Sequence, residues 1–156
     1  MKQPFRARLA AGELLVGPML TLPAPEIAEL LAGLGFDWLF VDMEHSPLSV
    51  GDVQAILQGA GPHCAGLVRV PAGEEGWIKK VLDTGASGII VPQVHTAEQA
   101  AQVVRMCKYP PQGTRGVGVA RAQGYGNRFG QYVAGANEEV VVVVQAESAE
   151  AVRNIE

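Results

Sequence analysis

The chain has 156 residues, 48% of them hydrophobic and 18% charged, and a formal net charge of −4. That is enough apolar material for one buried core in one domain, and it excludes a disordered chain. The acidic balance, without any Lys/Arg cluster, argues against a nucleic-acid partner held by phosphate neutralisation, and no apolar run approaches the ~20 residues of a membrane span. Cys64 and Cys107 stand far apart without metal-ligand or Cys-x-x-Cys spacing, so they predict buried thiols in a reducing cytoplasm.

Lys2, Arg6 and Arg8 precede an apolar stretch, as in a signal peptide, but Glu13 and Gly17-Pro18 interrupt it. Leu14 to Met19 is therefore expected as a first strand. Pro25 to Leu34 follows as a helix, with proline in its first turn and Gly35 after its end. Asp37 to Val41 reads as a second, buried strand whose carboxyl end delivers Asp42, Glu44 and His45 into a turn, where Ser46-Pro47 stops any helix. Ser49 caps a helix running through Gly59, and Ala65 to Val70 is a third strand. Glu74 to Thr84 has helical spacing and ends at Gly85, and Gly88 to Val91 is strand four. Thr96 caps Ala97 to Cys107, with Ala97, Ala100, Ala101, Val104 and Cys107 available for burial, before Tyr109-Pro110-Pro111 breaks it. Residues 110 to 140 form a connection too long to be ordinary, expected to be functional or oligomeric. Val140 to Val144 suits a strand buried on both faces, and Ser148 begins a last helix.

The strand–helix repeat with short connections implies parallel strands joined by right-handed crossovers. An open doubly wound sheet is one outcome, yet no Gly-x-Gly-x-x-Gly or phosphate loop follows the first strand, so no nucleotide is expected. The other is a closed (β/α)8 barrel of the TIM type, which needs eight strands and typically ~250 residues. On that reading residues 1–156 are a single partial barrel domain holding the first five units. Its first and fifth strands then expose bare parallel edges, which makes the piece unstable alone.

Polar residues recur where successive strands end: Asp42, Glu44 and His45, then Arg69, then Gln93 and His95, then Gln145 and Glu147. In parallel α/β folds that end carries the chemistry. Arg69 leaves an apolar wall, where its guanidinium either meets a carboxylate or oxyanion substrate or forms a salt bridge with Glu44 or Asp42. Glu147 suits a hard divalent ion beside the neutral amide of Gln145, or else acts as an acid at a helix N-terminus. His45 is a candidate general acid or base near neutral pH, with Asp83 as a candidate to orient it. His63 and His95 fit surface or loop roles, and Arg115, in Gly113-Thr114-Arg115-Gly116, fits a structured turn better than anion binding.

Six segments in order carry a family resemblance. They are Gly35-Phe36-Asp37-Trp38 leading into Asp42-Met43-Glu44-His45, Val68-Arg69-Val70-Pro71, Leu82-Asp83-Thr84-Gly85, Val91-Pro92-Gln93-Val94, Tyr109-Pro110-Pro111-Gln112-Gly113-Thr114-Arg115-Gly116, and Val144-Gln145-Ala146-Glu147. Together they resemble the HpcH/HpaI family of class II pyruvate aldolases. The resemblance implies metal-dependent cleavage of a 4-hydroxy-2-oxo acid to pyruvate and an aldehyde, with Mg2+, Mn2+ or Co2+ and no Schiff-base lysine. It makes Glu147 a metal ligand, Arg69 the group that stabilises the pyruvate enolate, His45 the acid/base partner of the substrate hydroxyl and Gln145 a substrate contact. The family continues to a Gly-Pro-x-Asp-Leu segment with a second metal-ligating aspartate, and to final strands and a C-terminal helix through which subunits associate as trimers or hexamers. None of that lies within residues 1–156. The chain is therefore expected to be an N-terminal portion. The alternatives are a β-lyase acting on acyl-CoA esters, of the citrate-lyase β type, and a non-catalytic truncated paralogue.

Overall fold

The computed structural model describes residues 3–155; Lys2 of the basic start lies outside the described residues. Five parallel strands, β1 (Met19–Leu20), β2 (Trp38–Asp42), β3 (Ala65–Arg69), β4 (Gly88–Val91) and β5 (Val141–Val144), lie side by side in sequence order. Helices α2 (Pro25–Gly33), α3 (Val50–Ala60), α4 (Glu75–Asp83) and α5 (Ala97–Cys107) return the chain between them. A doubly wound sheet reverses its order at a switch point, whereas an unbroken 1-2-3-4-5 order is the wall of a barrel.

Side-chain alternation divides the strands into two faces. Leu39, Val41, Val68, Ile89 and Val91 face the helices and are fully buried against Val53, Ile56, Ile78, Val81 and Val103. The other face is the lumen, where Leu67, Ile90 and Val141 pack with Trp38, Phe40 and Phe5. Lumen residues share register: Phe40 pairs with Leu67, Leu67 with Gly88, and Gly88 with Val141. Gly88 allows this layer to close, because a Cβ there would meet the Val141 carbonyl and lie 2.8 Å from Leu67 Cδ2. Gly88→Ala in the full-length protein is expected to cost about 1–3 kcal/mol by overpacking, read as a lower urea midpoint at unchanged slope.

Helix ends follow their local chemistry. Ser49 and Thr96 close capping boxes on α3 and α5 with Asp52 and Gln99, and Gly85 takes the left-handed φ of +90° after α4. Several elements differ from the sequence expectation. The stretch from residue 14 to 18 runs beside β2, its Val16 and Pro18 carbonyls accepting from the Asp37 and Phe40 N–H groups, but only Met19–Leu20 forms strand pairing. Pro18 has no N–H to return. The basic start is a short helix, α1 (Phe5–Ala10), whose Phe5 packs on Trp38 with ring centroids 6.2 Å apart at the floor of the lumen. In α5 the buried face is Val103, Met106 and Cys107, with Ala100 partly covered, while Ala97, Ala101 and Val104 face out. An alanine-rich helix gives its apolar side weak definition, and the long side chains decided it. Burial pushes the Cys107 thiol up to about 12, against the pull of the Arg115 and Lys108 charges, so it stays neutral and unreactive.

The long connection contains a turn of 3-10 helix (Arg121–Gln123) and a further helix, α6 (Phe129–Glu139), that the sequence reading did not separate. Two arginines fasten it beneath the barrel. Arg121 donates to the Thr84 and Leu57 carbonyls at the ends of α4 and α3. Arg115, 2% exposed, donates to Asp83 at 2.9 Å and lies 4.5 Å from the Tyr109 ring centroid. Arg115 thus holds a structured turn.

The valines of β5 are not buried on both faces: Val143 and Val144 are 36% and 37% exposed. Among the described residues, strand β5 pairs on one side only, with β4, and β1 likewise pairs only with β2. Exposed apolar side chains gather at these two margins, Leu14, Met19, Leu30 and Leu34 at one and Val143, Val144, Val152 and Ile155 at the other. Among the described residues no helix is long and apolar enough to cross a membrane.

Candidate functional site

Asp42 and Arg69 end neighbouring strands as register partners, so both side chains enter the lumen at the same level. Arg69 grips Asp42 with two parallel bonds, Nε to Oδ1 at 2.9 Å and Nη2 to Oδ2 at 2.8 Å, and its guanidinium rests 5.3 Å above the Phe40 ring centroid. This fork geometry, stacked on an aromatic face, is one that lysine cannot supply. Both salt-bridge partners considered from sequence are present, since Arg69 Nη1 also lies 3.2 Å from Glu44 Oε2.

The turn after β2 is organised by Asp42. Its Oδ1 accepts the Glu44 N–H at 3.0 Å, and the Ser46 hydroxyl donates to its carbonyl. The Arg69 guanidinium, against the cost of burial and with help from the Glu44 and His45 N–H groups, holds the Asp42 carboxyl below the ordinary range near 3.8. Hydrogen bonding to Asp42 raises Arg69 in turn, opposed by burial and reinforced by the charges of Asp42, Glu44 and Glu147. Because the folded value of Asp42 is depressed, its stabilisation is complete above the ordinary value. It fades as pH falls from there through the folded value. Asp42→Asn is expected to lose about 3 kcal/mol at neutral pH, as when one partner of a buried pair is removed, and to flatten the acid limb of a urea-unfolding series between pH 2 and 5. An unchanged acid limb would assign that limb to other carboxylates.

His45 is the outermost residue of the group, its side chain 72% exposed and its Nε2 3.7 Å from Glu44 Oε2. Glu44 is the acid beside it. Asp83, expected as its orienting partner, is instead bound to Arg115 at the end of α4, near where the strands begin and His45 is not. Helix α4 runs back along the barrel, so a residue at its carboxyl end cannot reach the carboxyl ends of the strands in the same chain. Within one chain the structure corrects that pairing.

The β4 and β5 ends are stitched together by main-chain bonds from Gln145 N–H to the Val91 carbonyl (2.9 Å) and from Val94 N–H to the Gln145 carbonyl (3.2 Å). Glu147 Oε1 accepts the Gln93 N–H at 2.8 Å, and Oε2 lies 3.5 Å from Gln145 Nε2. Gln93 reaches this position with a left-handed φ of +55°, an uncommon conformation for a residue with a Cβ, and no sequence signal marked it. Two buried oxygens on this end of the barrel lack an aligned hydrogen-bond donor: Gln145 Oε1 and Glu44 Oε2. The second sits within ion-pair distance of Arg69, but charge proximity without alignment leaves acceptor capacity for an incoming proton or cation. Carboxylate and amide oxygens are the donor types that a hard divalent ion takes. They fit such an ion in kind but not in number, since among the described residues no group of three His, Cys, Asp or Glu side chains is placed to hold one.

The fold recurs in known proteins. The chain is 49% identical over 154 residues to a 4-hydroxy-2-oxovalerate aldolase of Rhodococcus jostii, covering 97% of this chain and 59% of that protein. It is 41% identical over 159 residues to a 2-keto-3-deoxy-L-rhamnonate aldolase of Escherichia coli, covering 100% of this chain and 59% of that protein. The crystal structure of a Burkholderia cenocepacia HpcH/HpaI aldolase/citrate lyase family protein superimposes with a TM-score of 0.90 at 39% identity, over 96% of this chain and 62% of that one. The chain thus spans about three-fifths of the length of these relatives. Five consecutive strands of a barrel, with the acid–arginine pair at their carboxyl ends, match over residues 19–156 the family described as HpcH/HpaI aldolase/citrate lyase, and the chain belongs to that family.

Proposed function

We propose that this chain is the first five βα units of a class II aldolase that cleaves a 4-hydroxy-2-oxo acid to pyruvate and an aldehyde, and condenses them in reverse. One observation carries the reading: the Arg69 fork is fixed by Asp42 at the mouth of the lumen, with Glu44 and Glu147 as its further acidic neighbours. Retro-aldol cleavage places negative charge on the enolate oxygen of the departing pyruvate. A guanidinium already oriented by a buried carboxylate stabilises that charge without reorganising. His45, exposed at the rim with its Nε2 3.7 Å from Glu44 Oε2, takes the proton of the substrate 4-hydroxyl. Glu147 would hold a divalent ion that polarises the 2-oxo group and shares the developing charge, with the Gln145 amide beside it as a substrate contact. Its second carboxylate ligand and the remaining barrel units lie outside this chain, and full-length subunits associate as homo-oligomers. The relatives' names, both aldolases of oxo acids, support the substrate class.

Pyruvate release from 4-hydroxy-2-oxo acids, followed through lactate dehydrogenase on the full-length protein, tests the reading. Turnover is expected to disappear with EDTA and to return with Mg2+, Mn2+ or Co2+. Undiminished turnover after thorough chelation, or borohydride trapping of a lysine adduct, would rule the mechanism out. A second reading, a lyase acting on acyl-CoA esters, is favoured by the citrate-lyase half of the family description. Cleavage of a CoA thioester but not of free oxo acids would select it.

A further inference from the structure

Glu147 projects from an exposed loop, yet its carboxylate is held in one place, and the means lies outside the residues that face the lumen. His95, in the β4–α5 loop, brings Nδ1 to 2.8 Å from the Ser148 hydroxyl, next in sequence to Glu147. Ser148 Oγ also accepts the Ala151 N–H at 3.0 Å as the cap of α7 (Ala149–Arg153), so it joins His95 to the start of that helix. Asn154, at the far end of α7, donates to the His95 carbonyl at 2.9 Å. The other face of His95 is tied too, its N–H donating to Gln99 Oε1 at 2.7 Å within the α5 capping box. Two helix starts and two loops are therefore joined at His95. The Gln93 N–H to Glu147 bond spans the gap between those same loops, and it depends on a backbone conformation that Gln93 does not favour by itself.

We infer that His95 and Ser148 form a positioning clasp that locks the β4–α5 loop to the start of α7 and thereby aims the Glu147 carboxylate. Neither side chain touches substrate. The clasp deepens the reading of Glu147 given above, because it concerns how that carboxylate is oriented for a cation. Two readouts on the full-length protein separate the two ideas: amide exchange of Gln93, which reports its bond to Glu147, and Mn2+ affinity.

Exchange at Gln93 is expected to accelerate about tenfold or more in His95→Ala and Ser148→Ala. It should stay near the wild-type rate in His95→Asn and Ser148→Thr, which can retain the bridge. Adding His95→Ala to Glu147→Ala should accelerate it little further, since the bond is already gone. Mn2+ affinity should fall about 10–100-fold in the two alanine variants, the usual range for groups that orient a ligand. Wild-type exchange at Gln93 in folded His95→Ala overturns the clasp whatever the metal result. Faster exchange with unchanged Mn2+ affinity keeps the clasp and removes Glu147 from the metal site.

Discussion

Replacing His45 with alanine is expected to lower retro-aldol turnover by about 10²–10⁴-fold, the usual span for a positioned proton-transfer group. The side chain is 72% exposed and lies 3.7 Å from Glu44 Oε2, so its removal takes little from the core. The loss should appear in activity with the unfolding midpoint almost unchanged. Metal affinity should also be spared, because Glu147, the proposed ligand, stands on the other side of the mouth, after β5. Exchange of the pyruvate C3 protons should fall less than cleavage does, since in the proposed mechanism enolisation draws on Arg69 and the ion while His45 serves the 4-hydroxyl. Equal losses in exchange and cleavage, or loss of bound metal, would return His45 to a ligand or scaffold role.

Arg69→Ala is expected to cost about 10²-fold or more in turnover, and here exchange and cleavage should fall together because both pass through the enolate. The variant also leaves Asp42, 1% exposed, without its partner, so part of the harm is to stability. Arg69→Lys separates the two effects. It keeps a positive charge near Asp42 but loses the two-pronged bond and the stacking on Phe40, so a folded Arg69→Lys protein with impaired exchange isolates the oriented fork. Near-wild-type exchange in that variant would reassign Arg69 to structural pairing.

Local chemistry alone made most of the barrel wall legible. Ser49 and Thr96 announced their helices because a hydroxyl three residues before an N–H is a complete cap without any tertiary contact. Gly88–Val91 read as a strand because a short apolar run between the Gly85 turn and Pro92 leaves little else. The clustering of Asp42, Glu44, His45, Arg69, Gln145 and Glu147 at one end followed from the strand–helix alternation, since parallel strands put all their carboxyl ends on one side. What sequence could not supply was pairing across the sheet and along the helices. Register makes Asp42 the two-pronged partner of Arg69, and the antiparallel run of α4 carries Asp83 to the opposite end, into the hold of Arg115. The left-handed Gln93 and the His95–Ser148 bridge depend on two loops more than 50 residues apart in the chain meeting side by side. The run Val140 to Val144 declared a strand, formed as Val141–Val144, but whether both its faces are covered depends on what packs beside β5, and no pattern within the run can encode a neighbour.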